Sequence, residues 1–331
     1  MREPAFWWRA PGLAANLLAP LAALYGAVAA RRMRQPGYRA RAKVVCIGNL
    51  TVGGAGKTPT AIAAARLLRD AGANPAFLTR GYGGRLAGPV VVAPTHSAAD
   101  VGDEPLLLAR VAPTVVAHDR VAGAAAAIDA GADTIVMDDG FQNPSLDKDL
   151  SVLVVDGRRG IGNDKVFPAG PLRAPLAAQF ARAQALLVVG EASWSARGVI
   201  TAAQAAGALL LTGRLVPDPA AVATLAGAHV LAFAGIADPE KFFATLRDAG
   251  IAVAATRRFA DHHRFRATEA KDLIAEAEHS RLTLVTTEKD FVRMAGDPAL
   301  AGLAARCKTL PVTLELDKAS ALRDLLEGLF F

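Results

Sequence analysis

The chain has 331 residues, 52% hydrophobic and 21% charged, which is enough apolar material for two packed α/β lobes and excludes a disordered or fibrous chain. Its formal net charge is +6, but residues 1–43 hold eight basic residues against one acid, so the excess is N-terminal. A nucleic-acid enzyme would carry its basic stripe on the folded body, so no nucleic-acid partner is expected; the two distant cysteines, Cys46 and Cys307, match no zinc or redox spacing.

The first element in chain order is "LAANLLAPLAALYGAVAA", Leu13 to Ala30, uncharged throughout and about 27 Å long as a helix. Trp7 and Trp8 precede it and a basic cluster, Arg31 to Lys43, follows. Aromatic residues at one end and cations at the other suit a membrane interface with the basic end cytoplasmic. Asn16, Pro20 and the many alanines weigh against a full span. Residues 1–42 are therefore expected to be a membrane-associated anchor, either one short span or a helix lying in the inner leaflet. A soluble amphipathic helix covering the body is the alternative.

From residue 43 onward short apolar runs alternate with helical stretches, the pattern of parallel βαβ units. Strands are predicted at Lys43–Ile47, Pro75–Leu78, Thr114–Ala117, Thr134–Met137, Val152–Val155, Ala185–Val189 and Ala208–Leu211, with helices at Lys57–Asp70, Glu104–Arg110 and Arg120–Asp129. A loop-like stretch, "GRLVPDPAAVATLAG", separates these from a second series at His229–Phe233, Ile251–Ala254, Leu282–Thr286 and Thr309–Thr313. The fold class is α/β: a nucleotide-binding lobe over residues 43–220 and a smaller α/β lobe over 221–331. A ligand cleft is expected between them, at the carboxyl ends of the strands.

The segment after the first strand is "TVGGAGKT": Thr51, Val52, Gly53, Gly54, Ala55, Gly56, Lys57 and Thr58. Strand, glycine-rich loop and helix in that order make a phosphate loop. Its amides close on phosphate, Lys57 reaches the β/γ-phosphates and Thr58 holds Mg²⁺. Thr51 stands where the usual motif has glycine, which is tolerable if that position needs no positive φ. Downstream, "DTIVMDDGFQN" ends an apolar strand in Asp138 and Asp139, the acidic partners a Mg²⁺ ion at such a loop requires. No lysine has aspartate two places on, so the guanine-reading motif is missing and ATP is the expected nucleotide.

Four stretches remain. "VGDEPLLLAR" places Asp103 at a helix start, where it can cap the helix or serve as an acid/base. "FADHHRF" offers His262 beside Asp261; no third cluster has zinc-ligand spacing. "LTRGYGG" offers Arg80 and "FPAGPLRAP" offers Arg173, each suited to a phosphate or to an ordinary loop.

Taken together, "GNLTVGGAGKTP", "LTRGYGG", "VGDEPLLLA", "MDDGFQN", "PAGPLR", "DHHRF" and "TTEKD" resemble, in order and over nearly the whole chain, the tetraacyldisaccharide 4′-kinase family, the lipid A 4′-kinases. The family's phosphate loop also begins with Thr. The resemblance implies an ATP- and Mg²⁺-dependent kinase acting on the sugar 4′-hydroxyl of a lipid A precursor. It places the enzyme on the cytoplasmic side of the bacterial inner membrane, with no obligate protein partner. It assigns Lys57 and Thr58 to ATP and metal, Asp138 and Asp139 to the metal, and Asp103 with His262 to a catalytic acid/base dyad. Ala174 and Asn143 depart from the Glu and His frequent there, so neither is given a role. The rival reading is a nucleotide switch acting on a protein partner.

Overall fold

The computed structural model describes residues 3–330. Its strands are β1 (Lys43–Asn49), β2 (Pro75–Thr79), β3 (Val90–Val91), β4 (Thr114–Val116), β5 (Thr134–Asp138), β6 (Leu150–Asp156), β7 (Ala185–Val189), β8 (Leu209–Pro217), β9 (His229–Ala234), β10 (Ala252–Arg258), β11 (Thr283–Thr286), β12 (Cys307–Thr309) and β13 (Val312–Leu316). They form a nine-stranded sheet, β13-β8-β7-β6-β1-β5-β2-β4-β3, and a four-stranded one, β10-β9-β11-β12. β2, β5, β6 and β7 are buried along their whole length, because helices cover both faces of a parallel sheet.

The helix Lys57–Asp70 shows how sequence sets that packing. Ala61, Ala64, Ala65 and Leu68 recur at one-face helical spacing and are all buried against β1, β5 and β6. The opposite face of the sheet is covered by the helices Arg120–Asp129 and Trp194–Ala205, through Ala124, Ala127, Val199 and Ala203. From β1 the chain crosses to β2, returns to insert β5 between them, then continues on the other side with β6. The direction of winding changes at β1, so the crevice outside its carboxyl end is open to ligands. The phosphate-loop segment lies there.

Two expectations are corrected. The predicted strand Thr309–Thr313 is two strands, broken at Leu310–Pro311, where proline has no N–H for a ladder. β12 stays in the small sheet, whereas β13 reverses into the large one, antiparallel to β8. The helix Ala319–Glu327 follows it and buries Leu322 and Leu326 in the core beneath the helix Lys57–Asp70. Residues 312–330 therefore pack with the first lobe rather than the second, and β8 extends to Pro217 because β13 pairs with it.

At the N-terminus, the expected single helix is two, Leu13–Leu17 and Ala19–Met33, with the break at Leu18 just before Pro20. Among the described residues no helix is long and apolar enough to cross a membrane. Trp7 and Trp8 do not form an interfacial belt. Trp7 is buried, edge-on to Phe167, and its indole N–H donates to Pro168 O at 3.0 Å. The Arg159 guanidinium lies 3.7 Å above the Trp8 ring. Ala15, Ala22, Gly26 and Met33 face inward, while Leu13, Leu17, Leu21, Leu24 and Val28 are each more than half exposed. The two helices thus carry an uncovered apolar stripe, followed by exposed Arg31, Arg32 and Arg34.

Candidate active site

β1 ends at Asn49, whose side chain organises the turn beyond it. Its amide donates to Gly53 O at 2.7 Å and its oxygen accepts from Thr51 N at 3.2 Å. Thr51 is buried, bridges Leu172 and is not among the residues with positive φ, so no glycine is needed there. Gly53 and Gly56 do take positive φ, 103° and 95°, in the left-handed region that favours glycine. The amides of Gly53 through Gly56 have no acceptor among the described residues. They form, with the start of the helix Lys57–Asp70, a cradle of donors suited to phosphate. Lys57 Nζ lies 3.4 Å from Gly53 O and 3.7 Å from Asp139 Oδ2.

Asp138 closes β5 beside this loop, and its two oxygens differ. Oδ2 accepts from Thr58 Oγ1 at 3.1 Å, whereas Oδ1 is buried without a partner. Burial, reinforced by the charge of Glu104, pushes the Asp138 carboxyl up to about 7. An orphaned carboxylate oxygen next to a threonine hydroxyl, opening on a phosphate cradle, is the donor set of a Mg²⁺ held by few protein oxygens plus phosphates. The residues fit that ion. Asp139, next along and at φ 58°, is turned to cations instead. Arg173 grips it with two hydrogen bonds, 2.5 and 3.1 Å, and Lys57 sits on the other side. Although burial opposes ionisation, Lys57 and Arg173 hold the Asp139 carboxyl well below the ordinary range.

Asp103 is the first helical residue of Asp103–Leu108, and Gly102, at φ 90°, takes the cap position. Its carboxylate is 3% exposed. Oδ1 accepts from Glu104 N at 3.0 Å; Oδ2 receives Arg293 Nε at 2.7 Å and lies 3.2 Å from His262 Nδ1. The second lobe presents His262 in a left-handed turn, φ 55°, its ring 4.9 Å from that of Tyr82. Burial would raise Asp103, but the His262 hydrogen bond and the Arg293 and Lys289 charges overcome it and hold the group well below the carboxylate range. Burial would likewise lower His262, but Asp103, by hydrogen bond and charge, and Asp261 leave it above 6.5.

The two lobes enclose a cavity of about 1630 Å³ into which the phosphate loop, Asp138, Asp139, Arg80, Arg173 and His262 all open. Asp103 lies behind His262 and does not line it. Arg80 is exposed at the rim. Arg173 also donates to Thr51 O at 2.9 Å, bracing the phosphate loop from below. Asn143 accepts from Ser145 N within a turn and Ala174 is fully buried.

Some members were not legible in the sequence. Arg293 lies outside the motifs quoted above; the Glu104–Lys289 ion pair at 2.5 Å and Gln142, which donates to Asn49 O at 2.8 Å, fall within "VGDEPLLLA", "TTEKD" and "MDDGFQN", but nothing in those stretches marked what they would bond to. Lys289 and Arg293 do stand four apart in "TTEKDFVR", a spacing that puts both on one helix face, which was the available signal.

A family model described as LpxK, tetraacyldisaccharide-1-P 4′-kinase, matches residues 14–330. The chain belongs to this family. Among LpxK relatives, it is 57% identical over 325 residues to the tetraacyldisaccharide 4′-kinase of Rhodopseudomonas palustris (strain BisB18), covering 98% of this chain and 94% of that one. It is 58% identical over 331 residues to that of Methylobacterium sp. (strain 4-46), covering 99% and 98%. In fold it is similar to the crystal structure of LpxK from Aquifex aeolicus in complex with ATP. The TM-score is 0.74 and the identity 25%, over 96% of this chain and 99% of that one.

Proposed function

We propose that the chain transfers the γ-phosphoryl group of ATP to the 4′-hydroxyl of tetraacyldisaccharide 1-phosphate, a lipid A precursor. The observation that carries this reading is one cavity shared by a phosphate loop from the first lobe and a carboxylate-backed histidine from the second. A nucleotide switch needs the former and has no use for the latter.

The phosphate-loop amides and Lys57 would hold the β- and γ-phosphates, while Asp139 and Arg173 keep Lys57 and the loop in place. Thr58 and Asp138 would hold Mg²⁺, which when bound neutralises phosphate charge. His262 is the member of the dyad that faces the cavity, so we assign it to the sugar hydroxyl. Asp103 Oδ2, 3.2 Å from Nδ1, favours the tautomer with its proton on that nitrogen and leaves Nε2 as the proton acceptor. The 4′-oxygen bonds to the γ-phosphorus, the bond from that phosphorus to the departing ADP oxygen breaks, and the hydroxyl proton ends on His262. Arg80, exposed at the rim beside Tyr82, is assigned to the anionic substrate.

The uncovered stripe Leu13–Val28 and the arginines beyond it support attachment to the inner membrane's cytoplasmic leaflet by helices lying in its interface, not by a span. An acylated substrate stays in the bilayer, so an enzyme held there meets it directly.

The test is incubation with Mg-ATP and tetraacyldisaccharide 1-phosphate. A 4′-phosphorylated lipid supports the kinase; ATP hydrolysis indifferent to the lipid would replace it with the switch.

A further inference from the structure

Behind the Asp103–His262 pair lies a cation from the second lobe. The Arg293 side chain is 6% exposed and makes four hydrogen bonds. Nε and Nη2 reach Asp103 Oδ2 at 2.7 and 2.5 Å, and Nη1 reaches both Gly235 O and Asp290 Oδ1 at 2.7 Å. Gly235 O also accepts from the backbone N–H of His262 at 3.0 Å, and Gly235 N donates to Asp290 at 3.0 Å. One guanidinium therefore touches the carboxylate of the dyad and, through a single carbonyl, fixes the main chain that holds the imidazole in its left-handed turn. The turn leaving Gly235 passes over the phosphate loop: a Cβ on Gly54 would meet Ala237 at 3.8 Å.

The charges facing His262 can be enumerated. Asp103 faces Nδ1 from the helix Asp103–Leu108, the Tyr82 ring lies tilted against the imidazole from the loop after β2, Asp261 Oδ2 lies 3.8 Å from Nε2, and Arg293 approaches from the helix Glu288–Met294. Beside the neutral Lys289–Glu104 ion pair, two carboxylates of the buried cluster, Asp103 and Asp290, share one cation, Arg293. The cluster lacks one positive charge while His262 is neutral.

We propose that Arg293 is a positioning residue for the phosphoryl transfer, holding Asp103 against His262 and leaving the buried cluster one cation short of balance, a deficit that the proton taken by His262 fills. Arginine suits this role where lysine does not, because its planar fork serves three acceptors at once. The inference rests on the reading of His262 as proton acceptor given above.

The test is the pH profile of kcat/KM for the lipid in wild type, Arg293→Gln, Arg293→Lys and His262→Ala, each checked for folding by thermal denaturation. Losing the nearby positive charge stabilises protonated His262, so the acid limb of Arg293→Gln should move up by about one pH unit. Its rate at neutral pH should fall and partly recover in alkali, with the KM for ATP unchanged. Arg293→Lys keeps the charge and loses the fork; its limb should stay near the wild-type position while kcat drops about tenfold. A wild-type limb in folded Arg293→Gln, or full kcat in Arg293→Lys, overturns the inference. Should Arg293→Gln not fold, the Lys variant decides alone. If the limb persists in His262→Ala, it is the proton-acceptor reading that fails, whatever Arg293 does.

Discussion

An asparagine at position 103 distinguishes a structural carboxylate from a chemical one. Gly102 already occupies the cap position, and the Asp103 carboxylate is spent on Arg293 and His262. Asp103→Asn should lower kcat by roughly 10²–10⁴-fold; a near-normal rate in the folded variant would return Asp103 to a local backbone role. His262→Ala should lower kcat as well, and the double variant should be little worse than the more damaged single one, since the two act as a unit. The pH profile gives a second readout. The acceptor must be neutral, so kcat/KM falls as pH drops through the His262 value, which Asp103 holds above 6.5. Asp103→Asn removes the partner that holds it up, while burial and Arg293 still lower it, so residual activity should have its acid limb at lower pH than wild type. An unmoved limb would break the assignment. Lys57→Ala should abolish most turnover, because it removes the cation placed for the β/γ-phosphates; near-normal rates at saturating Mg-ATP would refute the phosphate-loop assignment.

On the scale of elements, the helices Leu13–Leu17 and Ala19–Met33 show why exposure is a better guide to membrane contact than hydropathy. Their inward face is small, with Ala15, Ala22 and Gly26, and lies close on the loop that contains Phe167 and Pro175; their leucines point away from the body. Deleting residues 1–30 would also remove Trp7 and Glu3, which bond to Pro168 and Arg159, so a surface substitution is the cleaner experiment. Leu17→Glu with Leu24→Glu changes only exposed positions and should weaken binding to anionic vesicles by roughly two orders of magnitude without altering thermal stability. Undiminished co-sedimentation would move the attachment to another surface. The phosphate loop illustrates the opposite situation, in which local sequence suffices. Two glycines at positive φ, an asparagine holding the turn and an alanine-rich helix all lie within one short stretch.

Across the whole molecule, the chain crosses into the second lobe after β8 and comes back through β13, so two adjacent strands join the lobes. Ion pairs span the cleft on either side of it: Lys241 with Asp156 at 2.6 Å near the phosphate loop, and Lys289 with Glu104 and Arg110 with Glu288 beside the dyad. The returning helix carries a stability prediction. Leu322 is completely buried against the first lobe, so Leu322→Ala should destabilise by about 2–5 kcal/mol and lower Tm. Limited proteolysis should then open the first lobe; cleavage confined to residues 221–311 would show that the C-terminal helix belongs with the second.

The elements legible in the sequence were those whose signal is local. Lys57–Asp70 and Arg120–Asp129 form with the expected limits, and the strands up to β7, apart from the unpredicted two-residue β3, fall within two residues of theirs, because glycine turns and unbroken apolar runs bound them. The phosphate loop and the acidic pair were also legible, by order and spacing along the chain, whereas the pairing of Asp103 with His262 was implied only by the family resemblance. What the sequence could not decide depends on contacts between distant segments. Whether Asp138 or Asp139 keeps a free oxygen follows from where Arg173 lands, and Arg173 lies 34 residues away. That Arg293 closes behind Asp103, 190 residues earlier, follows from two lobes meeting. The direction taken after Pro311 was likewise set by an open strand edge on β8, not by the run Val312–Leu316 itself. Hydrophobic period and turn chemistry act over a few residues and are written locally. Ion-pair partners, strand neighbours and the exposed face of a helix are properties of the assembled surface, and tertiary packing alone decided them.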